Sequence, residues 1–169
     1  LTVPAGGNIT VVYETEVNAF APMDAAGNIT NTAVVTGAGI TPITVTETIG
    51  TESTPILTIT KSVSPVPVTE NGTLTYTFLI QNSGSAPADI GTDAVIVDTF
   101  NPLLSNLAVS FNGTAWAETT NYTYDETTGV FTTIAGQITV PAATYTQNPV
   151  TGVWTADPGV STLVVKGTI

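Results

Sequence analysis

The sequence predicts an all-β protein: a β-sandwich repeat of immunoglobulin-like or prealbumin-like type, with mostly antiparallel strands and no substantial helix. Threonine supplies 35 of the 169 residues, and threonine and valine favour strands because their branched β-carbons suit a pleated surface. Glutamate, lysine and arginine, the usual residues of exposed helix positions, are scarce. Strand-like runs recur about every 8–12 residues with turn signals between them, which is typical of sandwiches and barrels.

Three strands are predicted in the first fifty residues, at Asn8–Val17, Ile29–Thr36 and Ile43–Ile49, because these runs are rich in Val, Ile and Thr. The composition then turns small and polar and ends in Pro55. We therefore place a linker between two β units at residues 51–55.

Six further strands are predicted after the linker, divided by turn signals such as Asn112-Gly113. The clearest is the run TLTYTFLIQ, in which Leu74, Tyr76 and Phe78 share one face and threonines the other. The predicted strands are Ile56–Lys61, Thr73–Gln81, Ala94–Asp98, Leu107–Phe111, Gly129–Ile134 and Ser161–Ile169.

An internal repeat organises the chain. The segment LTVPA at 1–5 matches ITVPA at 138–142, and GGNITVV and GVSTLVV follow, the second after an insertion at 143–158. Residues 1–50 are thus predicted to be the last strands of one repeat, or donor strands for a neighbouring copy. Residues 56–169 are predicted to be the following repeat without its last strands, which leaves an open edge for another copy or repeat to cover.

The charge balance excludes several classes of function. The chain has two cations, 13 acids and a net charge of −11, so we expect neither nucleic-acid binding nor attraction to an anionic membrane. No apolar run is long enough to insert into a membrane. Without His or Cys, a Ser-His-Asp triad, a cysteine nucleophile and an ordinary zinc site are absent. No cofactor motif is present, and we expect neither an enzyme nor a cofactor.

Several short motifs occur together in the chain. They are Thr60-Lys61, Gly72 through Tyr76-Thr77, Asn82 with Gly84, Val97-Asp98-Thr99 with Pro102, and Ile29 with Asn31-Thr32-Ala33. In combination they resemble the bacterial surface-protein repeat called domain of unknown function eleven. The resemblance implies a tandem β-sandwich module of large secreted or wall-attached bacterial proteins. The late-strand motif precedes the first-strand motif here, as expected where a chain spans parts of two repeats.

Lys61, Asp98 and Asn31 form the one constellation that suggests covalent chemistry. Lys61 and Asn31 are each in phase with apolar residues of their strands and are expected to point inward, whereas the direction of Asp98 stays open. A buried amine is more readily neutral and nucleophilic, and a buried acid can shuttle its proton. Attack on an Asn carboxamide then gives an amide and ammonia, which is similar to the isopeptide chemistry of Gram-positive pilins and adhesins.

A simpler interpretation of the same residues stays open. The Lys61 stem then runs along the core and its amine reaches Asp98 or solvent, while Asn31 hydrogen-bonds a turn. Lys166 is out of phase with Leu163 and Val165 and is predicted to be exposed.

Two other groups of residues are candidate ligand sites. The acids Asp89, Asp93, Asp98, Asp125 and Glu126 suggest calcium, but no D-x-D-x-D loop is present, and we expect solvated loops and no metal site. Trp154 and Tyr145, in the insertion at 143–158, are candidates for binding a glycan or a host protein.

We therefore expect a structural module of a bacterial extracellular fibre, stalk or surface layer. Its partners are copies of itself or adjacent repeats, joined head to tail by strand complementation and cross-linked by Lys–Asn bonds. The alternative is an adhesion module that acts through the insertion.

Overall fold

A computed structural model of the chain describes residues 2–17, 28–50 and 53–169, and it confirms the all-β prediction. The described residues form antiparallel strands, loops and one 3-10 turn at Ile90–Thr92, with no α-helix. Accordingly, none of them belongs to a helix of the length and hydrophobicity that crossing a membrane requires. The chain divides into two compact units, Leu1–Ile49 and Gly50–Ile169, and the immunoglobulin-like strand order stays a prediction.

The described part of the first unit contains a β-hairpin, formed by β1 (Asn28–Gly37) and β2 (Ile40–Gly50). Gly39 lies in the turn with a φ of 75°, a conformation that glycine adopts without strain. Most side chains of both strands are exposed.

The strand predicted at Asn8–Val17 is wrong, because residues 8–17 form no strand. The related segment of the second unit, Gly159–Thr168, is a strand with hydrogen-bonded partners on both sides. A strand is stabilised by its ladder of backbone hydrogen bonds, and residues 8–17 have no such ladder.

Residues 53–169 of the second unit form ten strands. They are β3 (Leu57–Ser64), β4 (Thr73–Asn82), β5 (Val97–Thr99), β6 (Ser105–Phe111), β7 (Thr114–Trp116), β8 (Tyr122–Asp125), β9 (Val130–Thr133), β10 (Thr144–Gln147), β11 (Trp154–Asp157) and β12 (Gly159–Thr168). The six strands predicted here all form, with shifted ends. The short β7, β8, β10 and β11 were not predicted, because three or four residues carry too little periodicity.

Two sheets enclose the core of the second unit. One has five strands in the order β3-β4-β12-β6-β7, and the other has three in the order β5-β9-β8. Phe100, just after β5, lies between them, with its ring centroid 4.7 Å from that of Tyr76 on β4 and 5.7 Å from that of Phe131 on β9. The insertion forms a separate hairpin, β10–β11.

Asn82 ties the start of the second unit to its core. Its side chain is completely buried at the end of β4. Its Oδ1 accepts hydrogen bonds from the backbone N–H groups of Ile56 and Gly84, both at 2.9 Å. Its Nδ2 donates to the carbonyl oxygens of Ala86 at 2.7 Å and Pro141 at 3.0 Å. Ile56, which follows the predicted linker, is thereby held against the end of β4 just before β3 begins.

Candidate functional site

The inner face of β3 is incompletely covered, because five strands of one sheet face only three of the other. Leu57, Ile59 and Val63 point to the core side of β3, opposite inward residues of β4, yet they are 38%, 50% and 39% exposed. An apolar groove of about 140 Å³ runs beside Leu57 and Ile59. Its lining residues are Leu57, Thr58, Ile59, Ile80, Ala94, Val95, Ile96 and Ile138.

Lys61 projects from the same face of β3 into a cage of aromatic rings. Its Nζ lies 4.6 Å from the ring centroid of Tyr76, 5.3 Å from that of Phe100 and 5.6 Å from that of Phe78. The negative faces of such rings attract an ammonium group. The side chain keeps 38% of its surface exposed, so the rings enclose it only in part.

Asp98 on β5 supplies the carboxylate of this site, and the structure settles the direction that the sequence left open. Its neighbours Val95 and Val97 face outward and are exposed, whereas Asp98 is in phase with the buried Phe100 and is 18% exposed. Its Oδ2 forms an ion pair with the Lys61 Nζ across the space between the sheets.

The two carboxylate oxygens of Asp98 have unequal surroundings. Oδ1 accepts a hydrogen bond from the Thr99 N–H at 2.9 Å. Oδ2 is buried, and within the described ranges it accepts no hydrogen bond beyond its charge contact with Lys61. Burial raises the pKa of Tyr76 above its usual 10.0, and the negative charge of Asp98 raises it further. The phenol beside the ion pair therefore stays neutral.

Asn31 lies on β1 of the first unit, where its side chain is exposed and not directed into a core as predicted. Its Nδ2 donates a hydrogen bond to the Tyr13 hydroxyl at 2.7 Å. The Lys61–Asp98 contact is therefore formed within the second unit, and Asn31 belongs to the other unit. A base beside an amine can take a proton from it, but amide formation also needs a carboxamide carbon. Lys61 and Asp98 therefore supply the amine and the base of the predicted reaction.

The residues proposed for ligand binding in the insertion are held in different ways. The Tyr145 hydroxyl donates a hydrogen bond to the carbonyl oxygen of Ser83 at 2.8 Å, which fastens the base of the hairpin to the end of β4. The backbone of Trp154 belongs to β11, and its side chain lies outside the described residues.

The acidic residues weighed for calcium have separate local roles. Asp89 accepts a hydrogen bond from the Gly91 N–H, and Asp125 accepts two from Thr127. The hydrogen bonds from Thr127, with others from Thr128, lower the pKa of Asp125 from 3.8 to about 2. Within residues 2–17, 28–50 and 53–169, no three acidic side chains cluster as metal ligands do.

Sequence reasoning missed two parts of the site. The ring cage around Lys61 includes Phe100, which lies beyond the predicted strand Ala94–Asp98 and carried no periodic signal of its own. The role of Asn82 was also missed, although the spacing of Asn82 and Gly84 marked the end of β4. Comparisons of the chain with family models, curated proteins and solved structures found no match.

Proposed function

We propose that the protein is a structural, non-enzymatic repeat module of a bacterial extracellular fibre, stalk or surface layer, assembled head to tail by strand complementation. The exposed inner face of β3, with its apolar groove, carries this proposal. A sheet edge with an uncovered apolar face associates readily with an added strand, because backbone hydrogen bonds supply affinity and side-chain pockets supply specificity.

The hairpin β1–β2 is the matching donor. Its apolar side chains are about half exposed, including Val35, Ile43 and Val45. The repeat of LTVPA as ITVPA makes this hairpin the counterpart of strands that would follow β12 in a complete repeat. A hairpin supplied by a neighbouring copy or repeat would cover the groove. The motif resemblance to bacterial surface repeats supports the extracellular setting.

The Lys61–Asp98 pair supports a covalent lock on this assembly. Asp98 takes a proton from the Lys61 ammonium, and the neutral Nζ attacks the Cγ carbon of an Asn31-type carboxamide. The carbon–nitrogen bond of the carboxamide breaks, and the proton held by Asp98 passes to the departing nitrogen, which leaves as ammonia. Asp98 then takes the second proton, which Nζ loses as it becomes an amide nitrogen. The product is an amide between Nζ and Cγ, with no oxidant, metal or nucleotide consumed.

Intact mass and denaturing gel electrophoresis test this lock on the purified chain after incubation at high concentration. We expect multimers that resist denaturation, each short of one ammonia per link. Lys61→Met and Asn31→Ala should abolish them, whereas Lys166→Met, the matched change at the exposed lysine, should not. Multimers at the summed mass of intact copies, or a ladder that survives Lys61→Met, contradict the cross-link.

Adhesion through the insertion is the second candidate, and the shape of the β10–β11 hairpin favours it. Val150 at its tip is 90% exposed, and Val153 is also exposed. Apolar side chains at the tip of an anchored hairpin suit contact with a glycan or a host protein. Binding on a glycan array that is lost in Trp154→Ala and kept in Lys166→Met would favour adhesion over a purely structural role.

A further inference from the structure

We propose that the hairpin β1–β2 of a second copy adds to the free edge of β5, with β1 antiparallel to β5 and Asn31 opposite Asp98. This inference rests on the proposed function and specifies the acceptor edge and the register. Two edges border the groove, those of β3 and β5, and each pairs with a strand on one side only among the described residues.

The strand count selects the β5 edge. Adding two strands to β5 gives the order β8-β9-β5-β1-β2, so that five strands face five. The added strands then lie over the exposed side chains of Leu57 and Ile59. Adding them to β3 would lengthen the sheet that is already longer and leave those side chains uncovered.

The hairpin has one face suited to this position. The Oγ1 atoms of Thr30 and Thr48 are 3.5 Å apart, and those of Thr32 and Thr46 are 3.4 Å apart, so the threonines share a face. Alternation then places a mostly apolar set on the opposite face. Its members are Ile29, Asn31, Ala33 and Val35 from β1 and Ile43, Val45, Glu47 and Ile49 from β2.

The register follows from matching inward residues. The acceptor strand and its approach present Ala94, Ile96, Asp98 and Phe100 inward. An antiparallel β1 with Asn31 opposite Asp98 then places Ala33 opposite Ile96. In the same register Val35 lies opposite Ala94, and Ile29 lies opposite Phe100. A parallel β1 with the same central pair would place Val35 beside Pro102, which has no N–H to donate.

Charge favours the same contact. Copies with a net charge of −11 repel each other, so association is favoured where acids are few. β1 carries no charge, and Glu47 is the one charge of β2. On the groove side the Lys61 side chain is 38% exposed and carries a charge opposite to that of Glu47.

The absence of cysteine allows a direct test by disulfide mapping. In the proposed register the outward-facing Thr32 lies opposite Val97. In the competing register on the β3 edge, with Asn31 opposite Lys61, Thr32 lies opposite Thr60. All three side chains are exposed, so a cysteine at each leaves the core intact. Copies carrying Thr32→Cys are mixed separately with Val97→Cys copies and with Thr60→Cys copies, oxidised, and analysed by non-reducing gel and peptide mass.

We expect a mixed disulfide with Val97→Cys copies at several-fold higher yield than with Thr60→Cys copies, because disulfides form where Cα atoms approach within about 7 Å. A higher yield with Thr60→Cys, or multimers in native mass spectrometry with neither disulfide, overturns the edge and register while leaving complementation standing. If the double variant with Thr32→Cys and Val97→Cys closes only within one chain, the second copy is overturned as the occupant. A chain that stays monomeric at high concentration overturns this inference and head-to-tail assembly together.

Discussion

Replacing Asn82 tests whether one buried carboxamide holds the second unit to its first strand. Asn82→Leu keeps a similar volume, so no large cavity forms, but it removes all four hydrogen bonds of the side chain. The Gly84 N–H is buried and the Ile56 N–H is half-buried, and both lose their acceptor. Leaving such a group unpaired costs ~1–3 kcal/mol, and the half-exposed group can recruit water, so we expect the free energy of unfolding to fall by about 2–4 kcal/mol.

Urea unfolding followed by tryptophan fluorescence measures this loss, because the Trp116 ring stacks on Phe111 with centroids 4.9 Å apart and reports on the core. Gln81→Leu is the matched control, since that side chain lies on the opposite face of β4. Equal urea midpoints for Asn82→Leu and Gln81→Leu would refute the reasoning.

Three further predictions concern the ionisable groups. Asp98→Asn removes the carboxylate beside Lys61. Because the Lys61 side chain is 38% exposed, we expect a loss of about 1–2 kcal/mol in urea unfolding that shrinks at high salt, and no loss for Asp93→Asn. An equal loss in both variants would contradict this expectation. The pKa of Asp125 is lowered from 3.8 to about 2, so its hydrogen bonds stabilise the fold above pH 3.8 and this contribution is lost as pH falls towards 2; a carboxyl NMR titration with a midpoint near 3.8 would contradict it. The pKa of Tyr76 is raised by burial and by Asp98, so the free energy of unfolding should fall as pH rises beyond 10.0. An absorbance titration of wild type and Tyr76→Phe checks this. It would contradict the prediction if the substitution removed one of the phenols that ionise first.

The sequence was informative wherever one face of a strand is buried. Strict alternation in Thr73–Gln81 predicted β4, which spans Thr73–Asn82 with Leu74, Tyr76, Phe78 and Ile80 inward. The same argument placed Lys61 on the inner face of β3 and Lys166 outside, and both positions are observed. It was undecided at Asp98, because Val95 and Val97 are apolar and exposed, so both faces of that segment appeared buried.

The tertiary partners of these residues could not be predicted from one sequence. Nothing local in Phe100 indicates that its ring will lie beside the Lys61 ammonium, since the two residues are far apart in the chain and on different sheets. The four hydrogen bonds of Asn82 depend likewise on where residues 56 and 141 return to the end of β4. The alternation of apolar and polar residues predicts which way a side chain points, whereas its neighbours depend on contacts between distant parts of the chain.

The places where alternation was inconclusive or wrong share one property: strand pairing is missing there. Residues 8–17 have a strand-like sequence without a ladder. Val97 on β5 and Val95 just before it are exposed beside an edge that no described strand occupies. In a monomeric protein, strand-forming segments with unpaired edges lower solubility, because such edges promote aggregation. Under the proposed complementation, these segments pair with strands of another copy, so their sequences fit the assembled state. Adding the β1–β2 hairpin to β5 should therefore protect the amides of Val95 and Val97 from hydrogen exchange while leaving those of β7, at the far end of the larger sheet, unchanged.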